Sequence, residues 1–256
     1  MNKLIKKVLT KIESNGFEAY VIGGYVRDLL IGKTTCDIDI CTNATPKDLI
    51  AIFPSGTTNL GSLAFKIKEY HFEITTYREE ITYENRKPIK YNYINNLIDD
   101  LKRRDFTINT ICMNSKGEII DILNGTKDLN NLEINMIGDI NKKLQEDPLR
   151  ILRAIRFSTV LNFNLEPNLY KGLQKHAKLV LTLSTTRIKE ELDKILLSNY
   201  SKKGLNLLAD LGILKPLNIN YHNLVVVKNL EGMYAQLDME YKLPFTKQER
   251  ASIINI

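Results

Sequence analysis

Apolar residues recur at helical intervals across residues 3–14 (KLIKKVLTKIES), where Leu4, Ile5, Val8 and Ile12 fall on one side of a 3.6-residue repeat. The period then changes. In NGFEAYVIGG, Asn15 and Gly16 read as a turn and the apolar run behind them as a short strand. ATPKDLIAIF places Thr45 as the N-cap of a helix and Pro46 at its first position. LAFKIKEYHFEITTY alternates apolar and polar residues as paired strands do, and TICMNSKGEIIDI reads as a hairpin around Ser115, Lys116 and Gly117, with LEINMI a further strand candidate. From about residue 139 the pattern is helical: 147–161, 167–179, 186–198 and 201–211 space their apolar positions for one buried face, Gly212 marks a C-terminal stop, and FTKQERASIINI starts another amphipathic helix. The pattern predicts an α+β protein: an N-terminal part (1–138) with a mixed β-sheet and flanking helices, joined to an all-α remainder (139–256). The last helix has barely begun where the sequence ends, so further chain is expected beyond it.

With 256 residues, 43% of them hydrophobic and 26% charged, the chain can build two cores and does not have the composition of a disordered protein. No run approaches the ~18 consecutive apolar residues that a spanning helix needs. Three cysteines, few and odd in number, suit a reducing compartment better than a disulfide framework. A soluble, cytoplasmic protein that is not attached to a membrane is expected, with Cys36 and Cys41 as small buried residues. Lysine and arginine number 36 against 30 acids, a net charge of +6 that fits a polyanionic partner without requiring one.

Candidate chemistry begins at VIGGYVRDLLIGKTTCDIDI (21–40). Asp37 and Asp39 stand two apart in an apolar strand, so both carboxylates leave one face while Ile38 and Ile40 leave the other. Like charges so placed are tolerated when a hard divalent cation lies between them, and Mg²⁺ favours carboxylate and phosphate oxygens; an exposed strand with two aspartates gives the same pattern. Glu73, in HFEIT, fits a third metal ligand and a solvent-facing strand residue equally well. Gly23 and Gly24 connect a strand to a helix holding Arg27 and Asp28, an arrangement that can turn backbone N–H groups toward a phosphate. Gly32, Lys33 and Thr34 end like a P-loop, but Arg27 occupies the place of its required first glycine, so that reading is rejected.

The glycine turn and the acid-apolar-acid strand together resemble the nucleotidyltransferase superfamily that includes DNA polymerase β. Gly23 to Asp28 (GGYVRD) is similar to one branch of it, the class II tRNA nucleotidyltransferases, or CCA-adding enzymes, and the bacterial poly(A) polymerases. Three more motifs follow in the family's order. RRDFTINT (103–110) resembles the ribose and triphosphate motif, with Thr110 where alanine is usual; DILNGTKDL (121–129) resembles the hinge between head and neck; EDPLRILRAIRF (146–157) resembles the base-recognition helix. Weaker similarity in STTRIKEELDKIL carries the resemblance to about residue 200. It implies template-independent addition of CCA to tRNA 3′ ends from CTP and ATP, with pyrophosphate released and Mg²⁺ held by Asp37 and Asp39. Poly(A) synthesis and terminal-A addition are the enzymatic alternatives, and a non-catalytic tRNA-binding module is the alternative outside enzymes. The tRNA acceptor end is the implied partner.

Arg103 and Arg104 are permanent cations suited to phosphate oxygens, and Asp105 can accept a hydrogen bond from a ribose 2′-hydroxyl. In the 146–157 segment, residues three and four apart share a helix face, so Asp147, Arg150, Arg153 and, with some drift, Arg156 are expected to look into one cleft. Asp147 before Pro148 also reads as an ordinary N-cap. A carboxylate acceptor beside a guanidinium donor matches the amino and ring-nitrogen edge of cytosine or adenine and mismatches guanine and uracil. Arg153 and Arg156 are expected to bind triphosphate or to orient that pair. YREEITYENRKPIKYNYI (77–94) resembles the flexible loop these enzymes use in switching from C to A, and by pattern alone it is a long polar hairpin with Pro88.

Overall fold

The first helix, α1 (Lys3–Glu13), starts where the Asn2 side chain accepts the Leu4 N–H at 2.8 Å. Its buried stripe is Ile5, Val8, Leu9 and Ile12, each 3% exposed or less; Leu4 is only half-buried. A computed structural model describes residues 2–255 other than 60, 85–86, 218, 220–224, 228 and 238–241. The chain divides into two compact units, Met1–Asn131 and Leu132–Ile256.

In the first unit α1 leads into β1 (Ala19–Ile22), α2 (Gly24–Leu30), β2 (Asp37–Thr42) and α3 (Pro46–Ile52). Thr45 caps α3 as its sequence predicts, and the cap is reciprocal: Thr45 Oγ1 accepts the Asp48 N–H while Asp48 accepts the Thr45 N–H. Then come β3 (Thr57–Asn59), β4 (Ser62–Ile67), β5 (Tyr70–Thr76), β6 (Arg78–Glu84), β7 (Lys87–Tyr93), α4 (Leu97–Lys102), β8 (Cys112–Met113), β9 (Ile119–Ile120) and α5 (Gly125–Asn130). Seven strands form one mixed sheet in the order β3-β4-β5-β2-β1-β8-β9, antiparallel throughout except for the parallel pair β2 and β5. The register sets Ile38 beside Phe72 and Asp39 beside Glu73. Ile38, Ile40, Phe72 and Ile74 are at most 1% exposed, each worth about 2 kcal/mol of burial, and Phe53, Phe65 and Phe72 stack at 5.0 and 5.2 Å on that side. Residues of the opposite period therefore all leave the other face. The expected loop at 77–94 is a two-stranded antiparallel ribbon, β6 with β7, irregular around Thr82.

The second unit contains β10 (Glu133–Ile134), α6 (Ile140–Glu146), α7 (Leu149–Leu161), β11 (Asn164–Leu165), α8 (Pro167–His176), α9 (Thr185–Leu196), α10 (Ser201–Asp210), α11 (Leu230–Ala235) and α12 (Lys247–Ile254). β10 pairs in parallel with β11 and so belongs to this unit. At its centre α7 buries Ile151, Leu152, Ala154 and Ile155 completely. Gly204 lets α10 approach: a Cβ there would stand 2.6 Å from Thr159 Oγ1 and 2.5 Å from Ile195 Cγ2. Among the described residues no helix is long and apolar enough to cross a membrane.

Candidate active site

The acidic face of β2 opens on a cavity of about 380 Å³ in the first unit, lined by Asp39, Glu73, Thr75, Ser62 and the arginines Arg78, Arg103 and Arg104. Alternation along β2 gives both aspartates an exposed side and sends Ile38 and Ile40 into the core. Asp39 is in the lining, and Asp37, one pleat earlier at the strand's start, is exposed outside it. Gly23, at φ 76°, forms the turn between β1 and α2, and a Cβ on it would lie 3.2 Å from Asp39 Oδ2. Only glycine gives the left-handed turn and leaves the carboxylate that room. Asp39 remains open to solvent at its surface, yet the surrounding cavity walls displace enough water to push its pKa up. Glu73 and Asp37 push in the same direction, against the lowering pull of Arg104 and Arg27. The site thus holds negative charge that it does not fully neutralise. Among the described residues no group of three or more His, Cys, Asp and Glu is arranged to hold a metal ion; Glu73 stands beside Asp39 in the register of β2 with β5. Two hard carboxylates on one face suit Mg²⁺, which keeps several waters and takes oxygen from phosphates.

The positive wall comes from the end of α4. Arg103 and Arg104 grip the two oxygens of Asp100, itself 0% exposed, with Nη–O distances of 2.8 and 3.0 Å. Arg27 is only 8% exposed and is a strut: its Nη1 donates to Asn109 Oδ1 at 2.8 Å and its Nη2 lies 2.7 Å from Asp28 Oδ1. Asn109 in turn donates to Asp105 Oδ1 at 3.3 Å, which links the glycine-turn helix to the RRDFTINT segment. Asp121 accepts the N–H groups of Gly125 and Thr126 at 2.8 and 2.9 Å to start α5. Asp128 of α5 accepts the Thr107 hydroxyl at 2.6 Å, so the DILNGTKDL segment braces the same turn.

The second unit carries the remaining predicted residues. Asp147 Oδ1 accepts the Leu149 N–H at 3.1 Å, a helix-start bond of the kind the D-P pair allows. Arg150 is 6% exposed, and its Nη1 donates to the Lys143 carbonyl at 2.8 Å, with Glu146 Oε2 3.7 Å away. Arg156 Nε lies 2.6 Å from Glu191 Oε2 on α9, and its guanidinium sits 4.1 Å from the Phe157 ring centre; Arg153 lies over the same ring at 5.5 Å. The three arginines therefore have distinct settings: Arg150 is bound to the end of α6, Arg156 joins α7 to α9, and Arg153 is partly exposed.

Residues 19–135 match the family described as the poly A polymerase head domain, and residues 162–221 the one described as the probable RNA and SrmB-binding site of polymerase A. Over 256 aligned residues, 96% of this chain and 62% of the relative, the chain is 37% identical to a CCA-adding enzyme of Streptococcus agalactiae. The chain belongs to the class II tRNA nucleotidyltransferase and bacterial poly(A) polymerase family. The CCA-adding enzyme of Bacillus stearothermophilus, solved in complex with CTP, has a TM-score of 0.76 at 33% identity over 83% of this chain and 53% of that one. A tRNA nucleotidyltransferase solved with a primer tRNA and an incoming ATP analogue gives 0.68 at 29% identity over 83% and 61%. The chain spans less than two thirds of the length of these relatives.

The structure adds three residues that sequence reasoning missed. Arg78, the first residue of β6, lines the cavity; nothing in the pattern of a polar hairpin singles it out. Asp100 anchors the arginine pair, and its only signal was the i, i+3, i+4 spacing of DDLKRR. Asn109 connects Arg27 with Asp105. One expectation is corrected: Cys36 is exposed, because it stands just before β2 begins, while Cys41 is buried.

Proposed function

We propose that the chain is a cytoplasmic, Mg²⁺-dependent tRNA nucleotidyltransferase that adds CCA to tRNA 3′ ends from CTP and ATP, with residues 139–200 as neck and 201–256 as partial body. One observation carries the reading: a single cavity is lined by Asp39 together with Arg103 and Arg104, the charges of both signs that a metal-assisted phosphoryl transfer requires. The names of the relatives support CCA addition in particular.

In this mechanism the terminal 3′-hydroxyl attacks the α-phosphate in line, one P–O bond forms, the α–β bond breaks, and pyrophosphate departs with its charge. When bound, the ion supplies Lewis acidity that eases loss of the hydroxyl proton and neutralises charge on the reacting oxygens. Asp37 and Asp39 would hold it. Arg103 and Arg104 bind the β- and γ-phosphates, Gly23 and Gly24 let backbone approach them, and Arg27, through Asn109, keeps Asp105 placed for the ribose 2′-hydroxyl. Asp147 and Arg150 select C and A: the helix-start bond engages Asp147 Oδ1, which leaves Oδ2 to accept a base amino group. Arg153 and Arg156 bind the triphosphate or orient that pair.

The deciding experiment offers tRNA lacking CCA with each NTP singly and in combination. Growth by two C from CTP and one A from ATP, stopping there, is expected. Unlimited tailing with ATP alone would make the chain a poly(A) polymerase, the activity for which the matching head-domain family is named, and binding without incorporation would make it a tRNA-binding module.

A further inference from the structure

Asp100 lies directly behind the cavity wall, on the last turn of α4, and none of its surface meets solvent. Its Oδ1 accepts from Arg103 Nε at 2.9 Å and from the main-chain N–H of Arg78 at 3.3 Å. Its Oδ2 accepts from Arg104 Nε at 3.3 Å and Nη2 at 3.0 Å. One carboxylate thus holds two guanidinium groups and the first residue of the β6–β7 ribbon, and all three residues it holds line the cavity. A carboxylate wholly removed from water persists only when paired and hydrogen-bonded, and these bonds are of the stronger, charge-assisted kind. Burial by itself pushes Asp100 up, but Arg104 and then Arg103 outweigh it and hold the group below the usual carboxylate range. It stays ionised wherever the protein is folded at ordinary pH.

We propose that Asp100 is the positioning residue of the triphosphate site: it sets Arg103 and Arg104 side by side against their mutual repulsion and ties them to the start of the ribbon, so affinity for triphosphate depends on it and choice of base does not. The inference rests on the nucleotidyltransferase reading. Adjacent guanidinium groups repel, and long arginine side chains lose rotamer freedom when a ligand fixes them. An anion already between them cancels part of the repulsion and orders both before the nucleotide arrives. Asparagine at 100 keeps the shape, but its amide puts donors where donors already point.

The test uses the full chain, with CTP and inorganic tripolyphosphate as probes in titration calorimetry. Asp100→Asn should weaken both probes in parallel by roughly tenfold or more, the usual consequence of losing charge-assisted bonds, while the CTP-to-UTP preference is unchanged. Leu101→Ala, at the next residue of the same helix and also 0% exposed, should lower the melting temperature yet keep tripolyphosphate affinity within about twofold, a surface-remote cavity being felt in stability. A folded Asp100→Asn protein that binds tripolyphosphate like wild type overturns the proposal, and so does an equal loss in Leu101→Ala. Should Asp100→Asn fail to fold, Asp100→Glu decides: its charge is kept and its carboxylate displaced by one methylene, so weaker tripolyphosphate binding at near-native melting temperature is expected, and wild-type affinity overturns the idea. A wild-type chain that binds neither probe sinks the nucleotidyltransferase reading and this proposal together; wild-type binding with unaffected variants sinks the proposal alone.

Discussion

Asp39 carries a charge that the fold itself opposes. Loss of water around it, then Glu73 and Asp37 nearby, raise its carboxyl above the ordinary value of 3.8. A carboxyl that binds its proton more tightly when folded than when unfolded favours the fold fully below its unfolded pKa. That contribution is lost as pH climbs through the raised folded value, so at pH 7 the ionised Asp39 is a net cost to stability. Asp39→Asn removes the charge at nearly constant shape. It is expected to melt at a higher temperature than wild type at pH 7, with the gap closing as the solution is acidified below the carboxylate range, and to lose nucleotide incorporation by about a thousandfold because the transition-state charge is no longer countered. Melting curves at pH 7 and pH 4 check the first half and primer-extension rates the second; a variant no more stable at pH 7 means that the acids are already neutralised by their surroundings. The same reasoning explains why Asp37 and Asp39 were visible in the sequence and Asp100 was not. Two acids alternating with Ile38 and Ile40 break a strand's apolar pattern openly, whereas Asp100 sits among Asp99, Lys102, Arg103 and Arg104 and reads as one more solvated charge, though burial has removed it from solvent completely.

Between elements, the ion pair of Arg156 and Glu191 is the contact of the third arginine of the 146–157 segment that bears on stability. Arg156 Nε and Glu191 Oε2 are 2.6 Å apart with side chains 14% and 6% exposed, and they join α7 to α9. Removing one member of a largely desolvated pair costs about 3–5 kcal/mol, while replacing both by apolar residues of similar size is near neutral. Glu191→Ala should therefore lower the free energy of urea unfolding by that amount, and Arg156→Met with Glu191→Leu should restore most of it. A loss under about 1 kcal/mol in the single variant, the size typical of exposed pairs, would return Arg156 to the surface. Element length also decides what the sequence could reveal. The 13 residues of α7 and 12 of α9 run for three turns or more, so their apolar period shows. The 6, 6 and 7 residues of α4, α5 and α6 do not complete two turns, and caps define two of them: Asn96 starts α4 and Asp139 starts α6 by accepting main-chain N–H groups. The two-residue strands β10 and β11 exist only through each other, a pairing invisible to a local pattern.

At the scale of the whole chain, the proposed phosphate chemistry and the proposed base choice fall in different units: Asp39, Arg103 and Arg104 in Met1–Asn131, Asp147 and Arg150 in Leu132–Ile256. The two functions should therefore respond to different substitutions. Asp147 is the residue at which this can be tested cleanly, because its carboxylate also accepts the Leu149 N–H in the turn that leads into α7, and asparagine closes such a turn about as well as aspartate. Asp147→Asn accordingly keeps the helix but replaces a pure acceptor by a group that both donates and accepts, which can satisfy the carbonyl of guanine or uracil as readily as the amino group of cytosine or adenine. A mismatched buried polar edge costs on the order of 1–3 kcal/mol, so the preference for CTP over UTP should fall by about tenfold or more in the variant. Tripolyphosphate, which has no base, should compete with wild-type strength. If the CTP preference survives, Asp147 serves only the turn before α7; if tripolyphosphate binding falls as far as CTP binding, the two units do not divide the labour between phosphate and base.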